Sequence, residues 1–230
     1  MWRSVRAKLG SFLKDAIAPV FCVQCGAVGG WLCSECAEQI LWVREQVCYR
    51  CGKLSEQGKT CQRCRRHSDL NGVMVATHYE AGPIREMIHQ LKYEGMTELA
   101  GILAWIGYRE LVGRRWNDWM IVPLPLHRRR LTERGFNQAE LLARGIARQL
   151  NLEFQSNRLM RVRATQQQIK LRGRDRRHNV YQAFRARDVH NRKVLVIDDV
   201  MTTGATLEDC ARALKDAGAS QVWAGVVARG

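Results

Sequence analysis

The residues best suited to chemistry form one continuous run: Val194-Leu195-Val196-Ile197-Asp198-Asp199-Val200-Met201-Thr202-Thr203-Gly204-Ala205-Thr206. Four apolar residues lead into two acids and then into a Thr/Gly loop that opens a helical pattern. At the C-terminal end of a parallel strand, two adjacent carboxylates reach the crevice where α/β sheets bind ligands. A loop at a helix N-terminus presents backbone N–H groups and hydroxyls, which stabilise an anion. Carboxylates for sugar hydroxyls beside donors for a phosphate describe a cradle for a ribose 5-phosphate. A lone acid pair or a lone Thr-Thr-Gly would read as an ordinary strand end and N-cap. The whole run is far more specific.

The cysteines carry a second chemistry. Of nine, eight fall into four CxxC pairs: Cys22/Cys25, Cys33/Cys36, Cys48/Cys51 and Cys61/Cys64. Each CxxC is a tight knuckle that offers two thiolates to one metal ion, and four thiolates close a tetrahedral Zn²⁺ site with no open position. Such zinc is structural rather than catalytic. Cys-Val-Gln-Cys-Gly and Cys-Tyr-Arg-Cys-Gly repeat one pattern, so the serial reading places Cys22, Cys25, Cys33 and Cys36 on one ion. Cys48, Cys51, Cys61 and Cys64 hold the other, although spacing alone leaves a cross-braced pairing open. A disulfide framework would need an oxidising compartment. The ninth, Cys210, sits within an apolar helical pattern and reads as core.

Positioning these residues requires a parallel sheet. Apolar strands are expected around residues 73–79, 120–122, 194–197 and 222–227. Helical patterns separate them: Ile84, Met87, Ile88 and Leu91; Leu99, Ile102, Leu103 and Ile106; Ala139, Leu142, Ile146 and Leu150; and residues 206–217. Strands alternating with helices predict an α/β fold with a parallel sheet covered on both faces. Residues 155–182 are polar and basic with few apolar anchors. Three segments are therefore expected: an N-terminal amphipathic helix over 1–19, a double zinc-ribbon module over 20–70, and an α/β domain over 71–230. The helix is read from Trp2, Val5, Leu9, Phe12 and Ala16, and packing on its own protein is preferred to lying on a membrane surface.

Composition excludes some classes. In 230 residues, 46% are hydrophobic and 26% charged, a globular balance. No stretch approaches the ~20 apolar residues of a membrane span. The first residues lack the apolar core and cleavage site of a secretory signal, so a cytoplasmic location is expected. Net charge is +15, and residues 126–193 hold 18 Lys+Arg against 5 Asp+Glu, or +13 of it. Arginine pairs bidentately with phosphate, so this bias implies a phosphate-rich partner; the bland alternative is a solvated basic surface. His127 precedes Arg128-Arg129-Arg130 and reads either as a phosphate contact or as inert.

The run over 194–206 resembles the phosphoribosyl pyrophosphate (PRPP) motif of type I phosphoribosyltransferases. The resemblance implies that Asp198 and Asp199 contact the ribose hydroxyls and Mg²⁺, and that Thr202, Thr203, Gly204, Ala205 and Thr206 hold the 5-phosphate. Pro123-Leu124-Pro125 matches the loop that binds pyrophosphate in that fold. Most of the chain resembles the ComF (GntX-like) branch, which joins a zinc module to a phosphoribosyltransferase-like domain and is tied to DNA uptake and use. The matching pieces are the CxxC pairs, Leu91-Lys92-Tyr93, Val122-Pro123-Leu124-Pro125, Arg134-Gly135-Phe136-Asn137-Gln138, and Thr165-x-x-Gln168-x-x-Leu171 followed by Arg176-x-x-Asn179. In the family, residues near 163–179 correspond to a mobile loop over the PRPP site. Around it this chain carries Arg158, Arg161, Arg163, Lys170, Arg172, Arg174, Arg176 and Arg177 against Asp175 alone.

Three functions compete. The preferred one is a cytoplasmic DNA-handling protein of the competence type, binding PRPP and single-stranded DNA and working beside DNA-uptake proteins. For stacking bases it offers Trp31, Trp42 and Tyr49, each of which reads equally well as core. The second is a PRPP-dependent transferase acting on a base, although no residue is clearly suited to activating one. Some proteins of this fold bind PRPP only as a signal, so the motif does not prove turnover. The third is a zinc-ribbon adaptor.

Overall fold

The computed structural model describes residues 19–163 and 182–230. The expected N-terminal helix lies outside them, as do Gln168, Lys170, Arg172, Arg174, Arg176, Arg177 and Asn179. The Cys-rich region contains two short helices, α1 (Ser34–Glu38) and α2 (Gln62–Arg65). The α/β part follows in the order β1 (Gly72–His78), α3 (Pro83–His89), a π turn over Gln90–Glu94, α4 (Leu99–Leu111) and β2 (Trp119–Pro123). Next come α5 (Arg128–Arg134), α6 (Gln138–Leu150), β3 (Glu153–Phe154), β4 (Leu159–Arg161) and β5 (Phe184–Ala186). The chain closes with β6 (Lys193–Met201), α7 (Ala205–Asp216) and β7 (Gln221–Arg229).

Five strands pair in the order β1-β7-β6-β2-β3, and every pair is parallel. Successive side chains of a strand point to opposite faces, and the two cores follow that alternation. Val73, Val75, Met120, Val122, Val194 and Val196 join one core, with Leu207, Cys210, Ala211 and Leu214 of α7. Met74, Ala76, Ile121, Leu195 and Ile197 join the other, with Leu103, Ala104, Leu142 and Ile146 of α4 and α6. The chain leaves β2 through α6 toward β3, and leaves β6 through α7 toward β7 on the opposite face. The ends of β2 and β6 therefore form a topological switch point, where such sheets bind ligands.

The Cys-rich region lies along β1. Val43 N–H donates to Ala76 O at 3.0 Å, and His78 N–H to Leu41 O at 2.9 Å. The Gln46 amide donates to Val75 O at 2.8 Å and accepts from Val75 N–H at 3.1 Å. These contacts satisfy backbone groups that an outer strand would leave open.

Three expectations need correction. The strand holding the acids runs on to Met201, so Asp198 and Asp199 lie within it and are 7% and 2% exposed rather than standing past its end. Residues 128–134 form a helix that apolar periodicity did not show, since Leu131 is their sole apolar residue. The basic stretch after residue 155 contributes an antiparallel pair, β4 with β5, anchored by buried Leu159 and Phe184.

Candidate functional site: the switch point and the two cysteine clusters

The loop after β6 is built for close approach. Gly204 caps α7 from the left-handed region at φ 77°, a conformation that favours glycine. Thr203 Oγ1 accepts from Ala205 N–H at 3.4 Å. Asp198, Val200, Met201, Thr202, Gly204, Ala205, Thr206 and Leu207 line a cleft beside this loop. Helix α7 has 12 residues, so its start presents a positive dipole end to an anion.

Behind Asp198, Asp199 is gripped by partners from two other elements. Lys92 Nζ forms an ion pair with Asp199 Oδ2, and Gln138 Nε2 donates to Asp199 Oδ1 at 3.3 Å. Arg134 Nη1 donates in turn to Gln138 Oε1 at 2.5 Å. Asp198 Oδ1 accepts from Asp199 N–H at 2.9 Å. The two carboxyls are driven apart. Burial, then the adjacent Asp199 charge, pushes Asp198 well above the usual carboxylate range. Burial acts on Asp199 in the same direction, but Lys92 and the hydrogen bonds to the carboxylate prevail and hold it low. Burial likewise opposes the Lys92 charge, and Asp199 outweighs it. Burial lowers both Arg134 and Arg161, with the Asp199 charge opposing it at Arg134 and, more weakly, the Asp198 charge at Arg161. Cations thus ring the acid pair, an arrangement suited to a ligand that carries both hydroxyls and phosphates.

Of the residues marked in the sequence, Asp198, Thr202, Gly204, Ala205 and Thr206 meet in the cleft. Pro123 closes β2 opposite Ile197. Leu124 N–H donates to Ile197 O at 2.9 Å, and Asn137 Nδ2 donates to Leu124 O at 3.0 Å. Pro123-Leu124-Pro125 therefore borders the acids at the switch point. Arg163 is exposed at the edge of the described residues. His127 caps α5, its Nδ1 accepting from Arg129 N–H at 3.3 Å. Lys92 had no assigned role, although the Leu91-Lys92-Tyr93 match contained it. Asp209 was missed altogether: it is buried and accepts from Gln182 N–H at 3.0 Å and Ala183 N–H at 2.8 Å, tying the chain's return into β5 to α7.

The cysteines gather serially. In Cys22, Cys25, Cys33 and Cys36, and again in Cys48, Cys51, Cys61 and Cys64, all sulfurs lie within 4.8 Å of one another. A tetrahedron with Zn–S bonds of about 2.3 Å has edges of about 3.8 Å. Cys25 and Cys33 Sγ are 3.6 Å apart, and Cys51 and Cys61 Sγ 3.7 Å, so the residues fit zinc and the cross-braced alternative falls away. At one sulfur of each cluster, backbone N–H groups favour the thiolate. Burial raises the Cys22 thiol, yet donors from Cys33, Cys25 and Gln24 bring it down to about 6. Cys48 reaches about 6 by the same route, with Cys61, Arg50 and Cys51 as donors. Trp31 and Trp42 are partly buried against the main core, and Tyr49 is 5% exposed, so the three aromatics serve packing.

A double zinc ribbon joined to a phosphoribosyltransferase-type sheet defines the class. The chain matches the double zinc ribbon domain over residues 13–65 and the phosphoribosyl transferase domain over 137–230. It is 33% identical over 207 residues to the DNA utilization protein YhgH of Escherichia coli, covering 86% of this chain and 91% of that protein. It is 30% identical over 204 residues to competence protein F of Haemophilus influenzae, covering 84% and 88%. The chain belongs to this ComF/YhgH family. A solved glutamine PRPP amidotransferase from Bacillus subtilis aligns over 55% of this chain and 26% of its own, at 17% identity and TM-score 0.39, a likeness too loose to carry weight. Among the described residues no helix is long and apolar enough to cross a membrane.

Proposed function

We propose that the protein binds PRPP with Mg²⁺ at the switch point and handles single-stranded DNA in the cytoplasm, in a competence or DNA-utilisation role beside uptake proteins. One observation carries the ligand reading: Asp198 shares a cleft with the Thr202–Gly204–Thr206 loop at the start of α7. That pairing suits a ribose whose hydroxyls meet a carboxylate while its 5-phosphate meets backbone N–H groups. Asp198, with Asp199 behind it, would hold Mg²⁺ and the ribose, and Pro123-Leu124-Pro125 would border the pyrophosphate. Mg²⁺ would supply charge neutralisation between the phosphates and the acids.

The DNA reading is supported by the names of the relatives, a DNA utilization protein and a competence protein, and by the +13 of residues 126–193. Arg163, Lys170, Arg172, Arg174, Arg176 and Arg177 crowd the segment whose two ends β4 and β5 hold beside α7. One basic segment serving both ligands makes them rivals. Single-stranded DNA binding is therefore expected to weaken as PRPP is added. DNA affinity that PRPP leaves unchanged would separate the two sites and contradict the shared surface. Screening bases for pyrophosphate release in the same preparation shows whether binding leads to transfer.

A further inference from the structure

The second zinc ribbon reaches into the phosphate loop. Tyr49 stands inside its first knuckle, between Cys48 and Cys51, yet it is nearly fully buried. Its ring lies on Gly204: a methyl group at position 204 would sit 2.8 Å from Tyr49 Cδ2 and 3.1 Å from Cε2. Its hydroxyl meets Glu208 in the first turn of α7 and Ser68 Oγ at 2.7 Å. The Glu208 carboxylate also accepts from Asp69 N–H at 2.8 Å and Ser68 Oγ at 3.1 Å, with Arg50 Nη1 3.8 Å away. Every one of these partners belongs to the second ribbon or its exit. Gly204, the N-cap of α7, offers no side chain of its own to fix the loop. The ribbon, beside the local Thr203 Oγ1 contact with Ala205 N–H, braces the start of this helix.

The first ribbon is placed differently. Val23, Trp31 and Leu32 pack against the core on the other face of the sheet, the one lined by Leu195 and Ile197. The two cysteine clusters therefore bear unequally on the cleft.

We propose that the second zinc ribbon is a working part of the ribose 5-phosphate site, with Tyr49 and Glu208 as positioning residues that hold the 202–206 loop in its anion-binding shape. This rests on the reading that the loop takes a 5-phosphate. A phosphate needs several N–H groups aligned at once, and a loop already aligned binds without an ordering cost. Outer partners that orient metal ligands commonly change affinity by 10–100-fold when removed, and Tyr49 and Glu208 stand in the same relation to the phosphate loop. Ligand affinity accordingly depends on the integrity of the Cys48, Cys51, Cys61 and Cys64 cluster far more than on that of Cys22, Cys25, Cys33 and Cys36.

The test uses the full zinc-loaded chain and three titrants: PRPP with Mg²⁺, ribose 5-phosphate, and pyrophosphate. Tyr49→Phe keeps the ring on Gly204 and removes the hydroxyl that links Ser68 to Glu208. It is expected to weaken ribose 5-phosphate and PRPP about tenfold while pyrophosphate affinity and zinc content stay unchanged. Glu208→Gln lies outside the ribbon and carries the same expectation, so it decides the matter if Tyr49→Phe loses zinc. Trp31→Phe in the first ribbon should bind all three like the wild type. Unchanged ribose 5-phosphate affinity in both Tyr49→Phe and Glu208→Gln overturns the proposal, as does an equal loss for pyrophosphate, which would mark general destabilisation. A wild type that binds neither PRPP nor ribose 5-phosphate overturns the underlying reading instead, and the proposal with it.

Discussion

Asp198 is buried at a cost. Its carboxyl is almost fully buried beside another acid, with a pKa well above the usual value. The folded state therefore keeps a proton that the unfolded chain releases just above pH 3.8. Stability falls as pH rises from there through the raised pKa, and then levels. Asp198→Asn keeps the oxygen that accepts from Asp199 N–H and removes this penalty. The variant is expected to melt higher than the wild type at neutral pH, by about 2–4 °C for each kcal/mol gained, with the gap closing toward pH 4, and to lose PRPP binding. Melting curves at a series of pH values check the sign. Lys92 works in the opposite sense. Lys92→Met leaves Asp199 buried without its cation and should cost about 3–5 kcal/mol. Adding Asp199→Asn should recover much of that, and a double-mutant cycle on denaturant unfolding measures it. The acids were legible in the sequence because thirteen neighbouring residues carry them. Lys92 was not, because its partner lies 107 positions away and only the fold joins them.

Among elements, the ribbons and the helix opening at Gly204 decide most. Strand cores and amphipathic helices were readable, since alternation and three-to-four spacing report burial directly. The end of β6 was not: the acids broke the apolar pattern, and backbone pairing with β7 carries the strand on to Met201 regardless. Helix α5 escaped for the opposite reason, being built from arginines capped by His127 at one end and Gly135 in the left-handed region at the other. Two expectations follow. Elemental analysis should give two zinc ions per chain, and chelation should unfold the ribbons, because a region this small cannot build a core without its metals. Gly204→Ala should destabilise by more than about 1 kcal/mol, since φ 77° and the Tyr49 ring both oppose a side chain there. Thermal unfolding reads that loss.

At the scale of the molecule, residues 20–70 cover the edge of β1 and brace the start of α7. Sequence spacing showed what the ribbons hold and could not show what they touch. The charge does speak for the whole chain. Replacing Arg172, Arg174, Arg176 and Arg177 with Ala should weaken single-stranded DNA alike for every sequence, as phosphate contacts carry no base information. The salt slope of binding should also become shallower, by roughly 0.7 for each phosphate that the variant no longer neutralises. The most direct test is a calorimetric titration of Mg²⁺-PRPP into zinc-loaded wild type and Asp198→Asn. Saturable one-to-one binding by the wild type, absent in Asp198→Asn although that variant is folded and holds its zinc, is the expected result. Equal affinity in both, or no heat from either, would contradict a PRPP site at the end of β6.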